Sequence, residues 1–151
     1  MIDTQFNLDS LVQNFLYGSN FRYYAIYPPT FTDEYTQWWT DRARGQRLCP
    51  EFTCLLLRVC ACSTQDLPPS IQQVLESEMA ERAEILSDRY HRAAARLSSS
   101  FIPGTGSITQ VQQLFLTANW LKNEVRLVES WHALGSAIRE AQELGMKVGE
   151  L

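Results

Sequence analysis

Apolar residues recur every three or four positions along most of this chain, and that spacing predicts six helices. Leu8, Leu11, Val12 and Phe15 place the first at about residues 6–17, closed by Gly18. The second is expected from Thr30 or Thr32, either able to cap it, through Tyr35, Trp38 and Trp39 to about Arg44. The third starts at Pro50, a favoured first-turn residue, and carries Phe52, Leu55, Leu56, Val59 and Cys60. It is apolar on most sides and is expected to be the central buried helix. The fourth is expected to be long, about 69–97, on the stripe Leu75, Met79, Leu86, Tyr90, Ala93 and Leu97. Its acids lie early and its arginines late, the order that suits the helix dipole. The fifth begins after Ser107 or Thr109 and reaches Leu121. The sixth covers about 124–144, with Leu127, Val128, Trp131, Leu134, Ile138 and Ala141 expected inward and Gly145 in the left-handed position beyond its end.

Between these segments, residues 21–27 form an aromatic run that ends at Pro28-Pro29, where helix cannot continue backwards. No second strand-like run is available to pair with it, so an ordered loop is expected. Ser98-Ser99-Ser100 and Pro103-Gly104-Thr105-Gly106 mark a second loop. The link Lys122-Asn123 is short enough to make its two helices an antiparallel hairpin. The fold class is all-α, and 151 residues suit one helical domain spanning 1–151.

Charge narrows the function. The net charge is −4, whereas duplex-binding modules usually carry a basic excess that neutralises phosphates. Direct nucleic-acid binding is therefore not expected. The N-terminal residues lack a basic segment followed by an apolar one, and no apolar run approaches the roughly 20 residues that span a bilayer. An intracellular chain without a membrane segment is expected.

Chemistry-bearing residues are sparse. Cys49, Cys54, Cys60 and Cys62 include no Cys-x-x-Cys pair, and both histidines lie far downstream, so four reduced, buried thiols are expected and no metal. His91 is expected on the outer face of the fourth helix and His132 at the edge of the sixth, both without catalytic partners. Glu76, Glu78, Glu81 and Glu84, with Arg82 near Glu78, read as surface pairing. Arg82, Arg89, Arg92 and Arg96 read as a solvated stripe. No phosphate-cradling loop, nucleophile elbow or cofactor fingerprint occurs. The aromatic residues are numerous, and core packing accounts for most of them. The alternative is an aromatic-lined small-molecule pocket between helices, for which Tyr27, Trp39, Trp120, Trp131 and His132 are the candidate lining.

The segment Gln110-Val111-Gln112-Gln113-Leu114-Phe115-Leu116 and the later Trp131, Gly135, Ala137, Ile138, Arg139, Ala141, Gln142, Leu144 and Gly145 are similar to the fungal-specific transcription factor domain, the middle-homology region of zinc-cluster transcription factors. Members carry a "TVQALLLL" helix followed by a Trp-x-x-x-Gly-x-Ala-Ile-Arg-x-Ala-Gln-x-Leu-Gly helix. Tyr27-Pro28-Pro29-Thr30-Phe31 and Leu55-Leu56-Leu57 resemble the family more loosely. The resemblance covers nearly the whole chain and corresponds to the N-terminal portion of that domain. The family's six-cysteine cluster and coiled coil have no counterpart here.

The resemblance implies a regulatory domain in the nucleus that binds a small-molecule effector or a protein partner; no cofactor is expected, since no motif for one occurs. A different class of reading is a small stand-alone enzyme, a cyclase or isomerase of fungal secondary metabolism, using the aromatic pocket with His132 or a tyrosine as acid. A third is a partner-binding module with an exposed apolar face, for which a homodimer is an expected outcome.

Overall fold

The structure is a computed structural model that describes residues 5–104 and 107–145; Thr105, Gly106 and Met146 lie outside the described residues. Within them the chain forms seven α-helices and one 3-10 turn. The helices are α1 (Gln5–Leu16), α2 (Pro28–Ala43), α3 (Pro50–Gln65), α4 (Pro69–Met79), α5 (Ala83–Ser98), α6 (Ile108–Asn123) and α7 (Leu127–Glu143), and the turn is Ser19–Arg22. No strand occurs among the described residues, so the all-α reading holds.

The centre is α3, as its all-round apolar character predicts. It packs against α1, α5 and α6. Eleven of its sixteen residues are buried, including polar Ser63 and Thr64 and the cation Arg58. Its buried hydroxyls have partners: Ser63 donates to the Leu11 carbonyl at 2.7 Å, and Thr64 donates to carbonyls one turn back at 2.8 and 2.9 Å. The Asn14 side-chain amide of α1 donates a hydrogen bond to Ser63 Oγ at 2.9 Å, which fixes the α1–α3 crossing. On the other flank Phe31 of α2 packs on Phe52 of α3, ring centres 5.2 Å apart.

Several boundaries differ from the sequence reading. The second helix starts at Pro28 rather than at a threonine, because Pro28 and Pro29 supply a first turn that needs no backbone donor. The aromatic run begins with the 3-10 turn, and Asn20 then pins its far end, exchanging side-chain bonds of 2.7 and 3.1 Å with the Ile26 backbone.

The expected long fourth helix is two helices. Ala80 adopts a left-handed conformation with φ 52°, and the chain restarts as α5 at Ala83. The new N-terminus is capped from the preceding helix: Glu76 Oε2 accepts the Ala83 amide at 2.7 Å. The apolar stripe runs through the break without interruption, so periodicity alone could not reveal it. The pairing of Glu78 with Arg82 is replaced by Arg82–Glu84 at 3.4 Å and Arg89–Glu81 at 3.1 Å.

The last helix is rotated from expectation. Its buried positions are Ala137, Glu140 and Ala141, turned toward α6. At about 100° per residue, Trp131 lies roughly a third of a turn from that seam. Trp131, Val128 and Leu127 are exposed, at 75, 72 and 60%. The small residues permit close packing on α6, which leaves the bulky ones outside. Glu140 also ties the preceding loop down, accepting the Gly104 amide at 2.9 Å. Gly145 stands in the left-handed position, φ 81°, as expected.

Candidate functional site

The five residues proposed to line an aromatic pocket do not come together. Tyr27 is exposed at the entry to α2, beside a shallow hollow with Ile26, Glu34 and Ile108. Trp39 is half-buried against Tyr35 and Trp38. Its indole Nε1 is the one buried side-chain polar atom without a partner among the described residues. Trp120 is 1% exposed and belongs to the core. Trp131 and His132 project from α7 into solvent. Tyr27 thus precedes α2, while Trp39, Trp120 and Trp131 belong to three different helices and differ in burial, a distribution that spacing along the chain does not reveal.

A different cleft gathers more chemistry. It holds about 340 Å³ where the 3-10 turn, the end of α3, α4, α5 and α6 meet. Thr64, Gln65 and Asp66 form one wall, Asn119, Asn123 and Glu124 another, and Arg22 with Tyr23 the rim. Cys62 and Ser87 form the floor. The walls are cross-linked: Gln65 Nε2 donates to the Trp120 carbonyl at 3.0 Å and to Glu124 at 3.1 Å, and Asn123 donates to Gln65 at 3.2 Å. Ser19 Oγ donates to Asp66 at 2.9 Å. Lys122 donates to the Tyr23 hydroxyl at 2.8 Å, which lowers the affinity of that phenol for its proton.

The floor offers no activated nucleophile. Burial pushes the Cys62 thiol up to about 12, so it stays protonated near neutrality. Ser87 donates its proton to the Ala61 carbonyl at 2.9 Å and accepts the Trp120 indole N–H at 2.8 Å. The arrangement can bind hydroxyl, amide and amino groups; it is not built to attack a carbonyl.

Beneath Ser87 lies a polar network that the sequence reading missed. The Trp120 ring stacks on His91, centres 3.9 Å apart and planes within 7°. His91 is therefore half-buried between helices rather than on an outer face, and it contacts buried Arg58. Arg58 Nε donates to Gln113 Oε1 at 3.2 Å, and Gln113 Nε2 donates onward to Ser98 and Gln110 at 3.1 and 3.0 Å. Arg58 has no carboxylate within ion-pair distance among the described residues. The usable sequence signal was the arginine itself, set in the otherwise apolar stretch from Cys54 to Cys62. Cys54, Cys60 and Cys62 are buried as expected, but Cys49 is exposed ahead of α3. Among the described residues no cluster of histidine, cysteine or acidic side chains is placed to hold a metal.

The arrangement is that of a helical domain with a hydrogen-bonding cleft over a buried polar network. Comparison with known proteins supplies the relationship. The chain is 30% identical over 142 residues to transcription factor xilB of Penicillium rubens, covering 92% of this chain and 21% of that protein. It is 30% identical over 141 residues to the probable transcription factor sol4 of Alternaria solani, covering 92% of this chain and 25% of that protein. The chain is thus related to fungal transcription factors along nearly all its length, as the α6–α7 motif suggested, and spans about a fifth to a quarter of these relatives. No family model and no solved structure matches it.

Within the motif, Ala137 and Ala141 are the residues that seat α7 on α6. Gly135 lies under the Arg139 side chain, where a Cβ would meet the guanidinium at 3.2 Å. These positions carry packing. Among the described residues no helix is long and apolar enough to cross a membrane.

Proposed function

We propose that this chain is a regulatory domain that receives a small effector or a protein partner and does not itself read DNA. The kinship with transcription factors supports the regulatory role and, through it, a nuclear location. The observation that carries the effector reading is the 340 Å³ cleft. Amides and carboxylates at the C-terminal ends of α3 and α6 line it, with Ser87 beneath. A site so lined favours a polar effector bearing several hydroxyl, amide or amino groups. Occupancy is communicated inward because Ser87 holds the Trp120 indole, and that ring holds His91 against Arg58.

The test is a thermal-shift and calorimetric screen of the purified chain against free amino acids, polyols and aminated sugars. A random duplex in low salt, followed by fluorescence anisotropy, serves as the comparison. Saturable binding of a polar compound, lost in Asn119→Leu, supports the reading. Tight, salt-sensitive duplex binding overturns it.

A further inference from the structure

A second cavity lies farther toward the N-terminal end of α3, about 250 Å³, walled by Leu8, Leu48, Leu56, Leu57 and Tyr90. Its character is the reverse of the polar cleft: an apolar interior with one cation at the mouth. We propose that it binds a small hydrophobic carboxylate, with the ring or chain inside and the carboxylate on Arg42.

Three observations converge. First, the mouth is rigid on its aromatic side. The Trp38 indole donates to Thr53 Oγ1 at 3.0 Å, and Thr53 donates to the Cys49 carbonyl at 2.7 Å, so the ring is fixed as a wall. Second, Arg42 is held in place but not neutralised. Its guanidinium lies 5.7 Å from the Trp38 ring centre and 5.1 Å from that of Trp39, and among the described residues it makes no ion pair. Cation–aromatic contact orients the fork and leaves its donors available for a bidentate carboxylate. Third, the charge is locally inverted. Arg42, Arg44 and Arg47 fall within six residues that contain no acid, leading to Leu48 of the cavity wall, in a chain of net charge −4. An apolar ligand with a single negative end matches both halves of this site. The volume, at the small end for ligand pockets, suits a medium-chain fatty acid or a one- or two-ring aromatic acid.

This site is independent of the polar cleft, and the variants separate the two: Arg42→Gln addresses the cavity and Asn119→Leu the cleft. The experiment is calorimetric titration of the full chain with sodium octanoate and, as a neutral match, 1-octanol. The Trp38 indole N–H resonance is followed in parallel. Expected are one-to-one octanoate binding, at least about tenfold tighter than octanol, and a displacement of the Trp38 signal. Arg42→Gln should bring octanoate down to the octanol level and leave octanol unchanged. Leu57→Trp should fill the space and weaken both, which distinguishes loss of the cavity from loss of the charge. Equal binding of the two compounds, insensitivity to Arg42→Gln, or an unmoved Trp38 resonance would overturn the proposal. So would duplex DNA binding that Arg42→Gln abolishes, since the arginines would then be serving phosphates.

Discussion

Arg58 Nη1 donates to His91 Nδ1 across 2.9 Å in the interior between α3 and α5. A guanidinium can only donate, so the accepting nitrogen of His91 carries no proton and the ring is the neutral Nε2–H tautomer. Arg58 also donates to the Gln113 side chain and the His91 carbonyl, both uncharged. Protonating His91 would set two cations against each other in a poorly solvated place. Burial first, then Arg58 and Arg126, hold its pKa down to about 4, against the opposing pull of Asp88 and Glu129.

This yields a pH prediction with a definite sign. Between about pH 4 and 6.5 the unfolded chain binds a proton at His91 that the folded chain refuses. The stabilisation is complete above 6.5 and is lost as pH falls through that window. A tenfold loss of proton affinity corresponds to about 1.4 kcal/mol, but the ring is partly exposed, so about 1–2 kcal/mol in all is expected after screening. Urea unfolding at closely spaced pH values should show this decline. In His91→Gln, which keeps an acceptor and cannot titrate, the slope over the window should flatten. An unchanged slope would place the acid sensitivity elsewhere.

The two tryptophans of the α6–α7 hairpin should respond in opposite ways to truncation. Trp120 is 1% exposed, stacks on His91 and bonds Ser87, so Trp120→Ala should cost about 3–5 kcal/mol. Trp131 is 75% exposed, so Trp131→Ala should change stability by less than about 0.5 kcal/mol. Chemical denaturation of both variants separates these values easily. A large loss at Trp131 would mean that a second surface covers it in solution.

Periodicity identifies which residues are apolar on one side of a helix, and it located α1, α3 and α6 well. It does not say where the neighbour stands. On α7 the packed seam is turned away from the start of the apolar stripe: Ala141 is buried as expected, but Ala137 decides the close approach with it, and Trp131 does not. His91 sits at the edge of the α5 stripe and is drawn in by Arg58 and Trp120, partners 33 and 29 residues away in sequence. The cleft was invisible for the same reason: its walls come from five separate elements, and none of its residues forms a local motif.

The break at Ala80 makes a prediction about backbone strain. A left-handed alanine costs roughly 1–2 kcal/mol, a penalty that glycine escapes. Ala80→Gly should therefore raise the thermal midpoint by a few degrees, and Ala80→Val, with a branched Cβ, should lower it. Glu76→Ala should also lower it, through a stability loss of about 0.5–2 kcal/mol, because the Ala83 amide loses its acceptor. Differential scanning calorimetry of the three variants tests the geometry. A rise for Ala80→Val would indicate one continuous helix.

Thiol reactivity should divide one against three. Cys49 is exposed ahead of α3, whereas Cys54, Cys60 and Cys62 are buried within it. Burial pushes the Cys54 thiol to about 11, despite the opposing influence of Arg58, and that of Cys62 to about 12. Both are thiols rather than thiolates at pH 8, and both are shielded from reagent. A disulfide-exchange reagent at pH 8 should thus label one sulfur per folded chain quickly and the other three only as the chain unfolds. Cys49→Ser should remove the fast phase and leave the slow one intact. If the slow phase is much faster than global unfolding, the α3–α6 seam opens locally, and an effector seated over Ser87 and Cys62 should slow it. Two or more fast sulfurs in the absence of denaturant would contradict the packing of α3.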